Sequence, residues 1–473
     1  MNQINRSVNK ISYVAFALLL FLPLGCGPSS GTDDFALAYD FVRNNLDDDN
    51  WEYLNSDSSL KARLNADIRL AISTSDSRLK DGSLPGEIFC EYLLAPSVNT
   101  ELFDDWRSEC LSSFSYLRSD KLSLETILDT LNTQLRKQFT FQNERTIVEH
   151  NWSTYQKGNM RGTCWDMATL ILFPLRALGY AATIDFTPVW GNMDGSHSWN
   201  SVYAHGRMTP FMGMESNMDG YNPFVIYDGA KDSAKNAYKR PAKVFRITFS
   251  DNEMYKRIKN KYPSLGRLLL FKHLKFKDVT SEYFSVSDLT VKRPCDYLGD
   301  VLFLSVFSGG KWIETCVTEV SENNCFIFRD LNREMLYLLV KPDGTTAEVP
   351  WILDKNSKIS ELRPDLHDRG DMEIIHLLPR IMEYSKVWGM ENPPKDIWTG
   401  IEEDYYRKHP EENQCYKLFT YLSKWVKVGE ATAGKNRVVF NNVPKGGLFM
   451  MTDGENMPVG RPFTYADKEC RWW

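Results

Sequence analysis

The sequence predicts an α+β fold in three parts: an N-terminal helical region, a mixed α+β core, and C-terminal β-sandwich domains. Three patterns predict it. From about Asp34 to Ser119 apolar residues recur at helical spacing. Between Thr163 and Ala204 the order is helix, strand, loop, strand. Beyond roughly Lys272 the chain becomes short apolar runs separated by turns such as Ser308-Gly309-Gly310 and Pro342-Asp343-Gly344.

The N-terminus reads as a targeting segment. Arg6 and Lys10 make a basic start, and Ile11 to Leu24 is an apolar run short for a bilayer span but suited to a signal-peptide core. It ends in Leu22-Pro23-Leu24-Gly25-Cys26, which resembles a bacterial lipobox with Cys26 as the lipidated first residue; Pro23 departs from the usual aliphatic residue. Gly27 to Asp34 reads as a flexible tether. The expectation is an exported lipoprotein, held at the bacterial cell envelope by lipid alone.

The 448 residues left after residue 25 (473 − 25) exceed one compact core. The patterns divide the chain into a signal peptide and lipidation site (1–26), a helical domain (27–119), a core (120–250), a β-sandwich (270–355), an unassigned connection (356–410) and a small β-domain (411–473). The formal charge is −6, or about −8 once Arg6 and Lys10 are removed, and no basic block accompanies the aromatics, which argues against nucleic acid as a partner. Aromatic residues at 13% suit sugar- or peptide-binding surfaces as well as cores.

The helical part carries Phe35, Ala38, Tyr39 and Val42 on one face, a second stripe from Leu60 to Ile72, a break at Leu84-Pro85-Gly86, and a further helix from Leu122 to Phe139 with Ser123 as N-cap. Thr163 to Leu178 is a helix with Met167, Leu170, Ile171, Leu175 and Leu178 on one face and Gly179 as its stop. Pro174 inside it predicts a kink, having no N–H for Leu170. Ala181–Phe186 and Ser198–Ala204 read as strands, as do runs beginning at Phe284, Asp300, Lys311, Met335, Arg437, Gly447 and Arg461. Ile374–Tyr384 has a helical pattern. Of nine cysteines, Cys316 and Cys325 flank a turn and could pair across a hairpin, and no spacing suits zinc. No calcium loop is present, and no cofactor is expected.

Cys164 and His197 make the one specific chemical proposal. The thiol follows Gly162-Thr163 at a helix start, where the positive helix end is expected to favour a thiolate and the first N–H groups to face a developing oxyanion. An imidazolium at His197 would favour it further and then protonate a leaving amine. Gly162-Thr163-Cys164, Leu175-Arg176-Ala177-Leu178-Gly179-Tyr180 and His197-Ser198-Trp199-Asn200 resemble the transglutaminase-like core of the papain-like cysteine enzymes, over about residues 120–230. The resemblance implies Cys164 as nucleophile, His197 as base and an acid on the next strand.

The aspartate usual in that family soon after a tryptophan is absent, so Glu215, the first carboxylate after His197, is chosen to orient the imidazole, with Asp219 and Asp228 as competitors. Asn200, three residues along the same strand, should face away from His197. Gln156 or Asn151 could donate to an oxyanion; Trp165 and Trp199 are expected as cleft walls or core, His205 as a turn residue, and Gly191–Gly195 as a mobile rim. The flanking Glu91-Tyr92-Leu93-Leu94, Trp106-Arg107 and Lys277-Asp278-Val279-Thr280 look like those of exported bacterial lipoproteins built on this core.

Three functions follow as expectations. The first is a lipid-anchored cysteine hydrolase of peptides or glycopeptides. The second is an amine-accepting transglutaminase using the same acyl-enzyme. The third is an inactive surface protein that binds glycan or protein.

Overall fold

In a computed structural model, the described residues are 31–98, 101–119, 121–142, 152–156, 158, 160–216, 218, 221–226, 237–293, 297–377 and 409–473. Residues 1–26, expected to be a signal segment with its lipidation site at Cys26, lie outside them. Among the described residues no helix is long and apolar enough to cross a membrane.

The helical region packs as the apolar stripes require. In the helix Ser58–Lys80, Leu60, Leu64, Ile68 and Ala71 are buried together with Ala38 and Val42 of Gly31–Asn45. Two flanking motifs turn out to be ties between layers. Arg107 is fully buried, pairs with Asp67 at 2.9 Å, and donates to the carbonyls of Leu93, Leu94, Ala95 and Arg176. Glu91 accepts the backbone N–H groups of Phe249 and Ser250, stitching the helices to the core sheet.

The expected helix spans Cys164–Ala177, but it has no single apolar face: every residue from Asp166 to Ala177 is buried. It lies between the helical region and a sheet, so both sides must be apolar. It runs on through Pro174, whose carbonyl accepts the Leu178 N–H at 2.9 Å. Gly179 ends it as expected. Tyr180 N–H reaches back to the Leu175 carbonyl and Gly179 N–H to that of Arg176, the paired bonds of a Schellman stop. Gly179 has φ +88°, and a Cβ there would stand 2.4 Å from the Thr74 carbonyl oxygen. Gly179→Ala is therefore expected to cost at least about 1 kcal/mol, from left-handed strain plus a backbone clash. Thermal unfolding that is unchanged in this variant would contradict the assignment.

The core sheet is antiparallel and five-stranded, in the order Arg207–Phe211, His197–Ala204, Ala182–Thr187, Phe245–Ile247, Phe276–Asp278. The register pairs Thr187 with His197, which puts the histidine at the sheet's end. The preceding helix is shorter than the sequence suggested. It spans Leu124–Arg136, with Ser123 Oγ accepting the Thr126 N–H, and Phe139–Phe141 instead forms a strand parallel to Met160–Gly162. β-branched and aromatic residues in Phe139-Thr140-Phe141 favour that extended state over a continued helix.

Antiparallel β-domains follow. In the first, Val286–Lys292 pairs with Cys325–Asn332, and a five-stranded sheet runs Lys311–Glu319, Val301–Ser308, Met335–Val340, Trp351–Leu353, Ile359–Glu361. Leu289, Phe326 and Phe328 from one sheet and Leu304, Cys316 and Tyr337 from the other share one core. In the second, Asp365–Ile374 pairs with Val438–Lys445, beside a sheet ordered Lys424–Thr432, Cys415–Leu422, Phe449–Thr452, Phe463–Ala466, Glu469–Trp472. Ile374 thus closes a strand rather than opening a helix, and residues 378–384 lie outside the described ones. The described cysteines are free thiols. Cys316 and Cys325 do not bridge because their strands belong to different sheets: Cys316 sits opposite Leu304, and Cys325 opposite Lys292.

Candidate active site

Cys164 is the first residue of its helix, and the first helical main-chain bond runs from Met167 N–H to the Thr163 carbonyl. The N–H groups of Cys164 and Trp165 therefore stand at the helix's positive end. Asp166 builds this corner. One of its carboxylate oxygens accepts both the Thr163 N–H (2.6 Å) and the Thr163 hydroxyl (3.0 Å). The folded-back carboxylate needs Gly162, where a Cβ would meet Asp166 at 2.5 Å. The Gly-Thr-Cys-x-Asp run fixes the corner at which a half-buried Cys164, packed against the core, opens the buried helix.

His197 is half-buried between aromatic rings. Trp190 stacks at 6.3 Å between centroids and 29° between planes, and Trp199 lies at 5.8 Å. Its Nε2 meets the Tyr221 hydroxyl at 3.4 Å. Burial above all, and then the charge of Lys239, press the imidazole pKa down to about 3. The resting ring is therefore neutral, not the imidazolium expected beside the thiol. The nearby cation is instead Lys239, whose ammonium lies 5.3 Å from the centre of the Trp190 ring. Burial lowers its pKa, while Glu215 and the Cys164 sulfur act in the opposite direction.

Glu215 makes no hydrogen bond to His197, and the polar contact expected of it is made by Tyr221. The reason is local. The strand ends at Phe211, and Met212–Ser216 is a turn closed by Ser216 N–H to the Met212 carbonyl, with Met214 at φ 63°. The turn leaves the Glu215 side chain exposed, with enough protein around its carboxyl to raise its pKa against the pull of Lys239 and Arg136. Asp219 and Asp228 lie outside the described residues.

Asn200 faces away from His197, as strand alternation requires. It donates to the Ala168 carbonyl (2.7 Å) and accepts from Gly213 N–H (3.0 Å), locking the turn to the helix. Gln156 ends the short helix Trp152–Gln156 with an exposed side chain, and Asn151 is not among the described residues. Trp165 packs on Phe186 at 5.8 Å. Trp199 is fully buried and donates its indole N–H to Tyr283 at 3.0 Å. His205 occupies a turn at φ 53°.

Below Trp199 is a buried charge cluster. Arg246 binds Asp185 through two bonds of 2.8 Å, and the Tyr283 and Ser201 hydroxyls donate to the same carboxylate. Asp185 is thus an acid on a neighbouring strand that is spent on Arg246 rather than offered to His197.

Sequence reasoning missed Asp166, Trp190, Tyr221 and Lys239. Only Asp166 had a signal, three residues after an N-cap threonine. Among the described residues no group of three His, Cys, Asp or Glu could hold a metal ion.

The site thus combines a sheet-backed helix with its thiol at the N-terminus and a histidine at a strand start. Residues 117–211 match the family described as the Transglutaminase-like superfamily, a span that includes Cys164 and His197 and stops before Glu215, Tyr221 and Lys239. The chain carries a domain of that superfamily. Red sea bream transglutaminase is a solved structure similar to it at 10% identity, covering 74% of this chain and 71% of that chain with a TM-score of 0.21. No curated protein sequence matches.

Proposed function

We propose that this protein is an exported, lipid-anchored cysteine hydrolase that cleaves amide bonds in peptides or glycopeptides at the bacterial cell envelope. The observation that carries the reading is Cys164 as the first residue of a buried helix, in the same transglutaminase-like domain as a neutral, aromatic-walled His197. His197 takes the thiol proton as Sγ attacks the carbonyl carbon. The oxyanion forms at the Cys164 and Trp165 N–H groups. His197 then gives the proton to the leaving amine as the C–N bond breaks, leaving a thioester. Water, activated by the same imidazole, adds to the thioester and releases the acid and the thiol. A primary amine in place of water would make the transglutaminase product.

One observation favours the non-enzymatic reading, a surface protein that binds glycan or protein: the imidazole meets a tyrosine rather than a carboxylate. The pH dependence of iodoacetamide alkylation at Cys164, read peptide by peptide, separates the two. Labelling that is fast below pH 7 is expected for the enzyme. Labelling that rises only near the free-thiol value of about 8.5 would leave the binder. Burial pushes Cys90, Cys316 and Cys470 up to about 12, so these thiols serve as slow internal references. If labelling is fast, incubation of peptides with and without a fluorescent primary amine distinguishes hydrolysis from amine transfer.

A further inference from the structure

The loop between the strands Ala182–Thr187 and His197–Ala204 is not the mobile rim that its glycines suggest. Its own fold is closed by Trp190 N–H to the Gly195 carbonyl at 2.9 Å. The core holds it through Gly191 N–H to the Arg240 carbonyl and Arg240 N–H to Asn192 Oδ1, both 2.7 Å. The first β-domain reaches it through Gly309 N–H to Asp194 Oδ1 at 2.7 Å, and a Cβ on Gly191 would strike Met335.

The strongest tie comes from the far end of the chain. Arg461, 2% exposed, donates to Asp194 Oδ1 and to the Gly191 carbonyl at 3.0 Å each. The same guanidinium donates to the Phe307 carbonyl of the first β-domain and to the carbonyl of the C-terminal Trp473. One side chain therefore joins the core, both β-domains and the chain terminus. A guanidinium is suited to this because its donors spread in a fixed plane.

What the loop carries gives this clamp its consequence. Trp190 is 2% exposed and stacks on the His197 ring, and Gly195 is two residues before His197. We propose that Arg461 is a positioning residue for the cysteine–histidine site: by holding Gly191 and Asp194 it sets Trp190 against His197, so the C-terminal β-domain completes the site. The inference rests on the hydrolase reading for its chemistry, but its geometry can be tested without it.

The tests use the chain without residues 1–26. In Arg461→Met, hydrogen exchange across residues 190–197 should accelerate, and Cys164 alkylation at pH 6.5 should slow by roughly tenfold, as expected when an aligned base is displaced. Arg461→Lys, which keeps the charge opposite Asp194, should recover part of both. Val443→Ala opens the core of the same domain without touching the loop, so it should lower the melting temperature and leave alkylation unchanged. If Arg461→Met does not fold, Arg461→Lys and Asp194→Asn carry the test on the same two readouts. If wild-type Cys164 is not activated, the hydrolase reading fails, and loop exchange alone decides the clamp. Unchanged exchange at 190–197 in folded variants, or an equal loss of alkylation in Val443→Ala, would overturn the proposal.

Discussion

Replacing His197 with alanine is expected to slow the proposed amide hydrolysis by about 10²-fold or more, the usual contribution of a positioned base and acid. Cys164 alkylation at neutral pH should also fall, because in the proposed mechanism His197 takes the thiol proton. The pH dependence is the sharper test. Burial and Lys239 hold the imidazole pKa down to about 3, so His197 stays an unprotonated base from neutrality down to that value. The wild-type rate should therefore show no acid limb from this residue near its ordinary value of about 6.5. Lys239→Met removes the second of the two causes and leaves burial. The imidazole pKa then rises, and any acid limb moves up toward neutrality. A wild-type limb near pH 6.5 that ignores Lys239 would show the histidine to be wet, and the neutral-base account would fail.

Much of the fold was legible because its elements carry local signals. Gly179 announced the end of the helix Cys164–Ala177, Ser123 the cap of the helix Leu124–Arg136, and the run Met335–Val340 a strand. The helix Cys164–Ala177 was placed well yet misjudged in character: five apolar positions on one face predict one packed side, whereas Leu172 and Phe173 are equally buried by the helical layer behind. That second layer is a tertiary fact that periodicity does not encode. The strand Asp365–Ile374 was missed for the opposite reason. Asp365-Leu366-His367-Asp368-Arg369-Gly370-Asp371 is mostly charged, and it forms a strand because Val438–Lys445 supplies the partner ladder.

At the site, the helix that Cys164 opens and the strand that His197 opens were legible from their neighbours. Tyr221 and Lys239 were not. Both lie in irregular stretches where no period reports which way a side chain points, and both reach His197 or its walls from the connection between the strands Arg207–Phe211 and Phe245–Ile247. Glu215 was chosen by order along the chain, a criterion that the Met212–Ser216 turn defeats.

The ion pair beneath the histidine strand should show the largest stability effect. Arg246→Met is expected to cost about 3–5 kcal/mol, because it strands the Asp185 carboxylate in a fully buried site. The partner change Asp185→Asn leaves Arg246 with Glu282 at 2.7 Å, a half-exposed carboxylate, and should cost less. The double variant should be more stable than Arg246→Met alone, since neither charge is then buried unpaired. The consequence reaches the site through named contacts. Asp185 accepts from Tyr283, Tyr283 accepts the Trp199 indole N–H, and Trp199 is two residues from His197 on the same strand face. Arg246→Met should accordingly speed hydrogen exchange along His197–Ala204 as well as lower the urea midpoint of the tryptophan fluorescence transition. A double variant no more stable than Arg246→Met would mean that the loss comes from packing of the arginine stem, and the buried-charge account would be wrong.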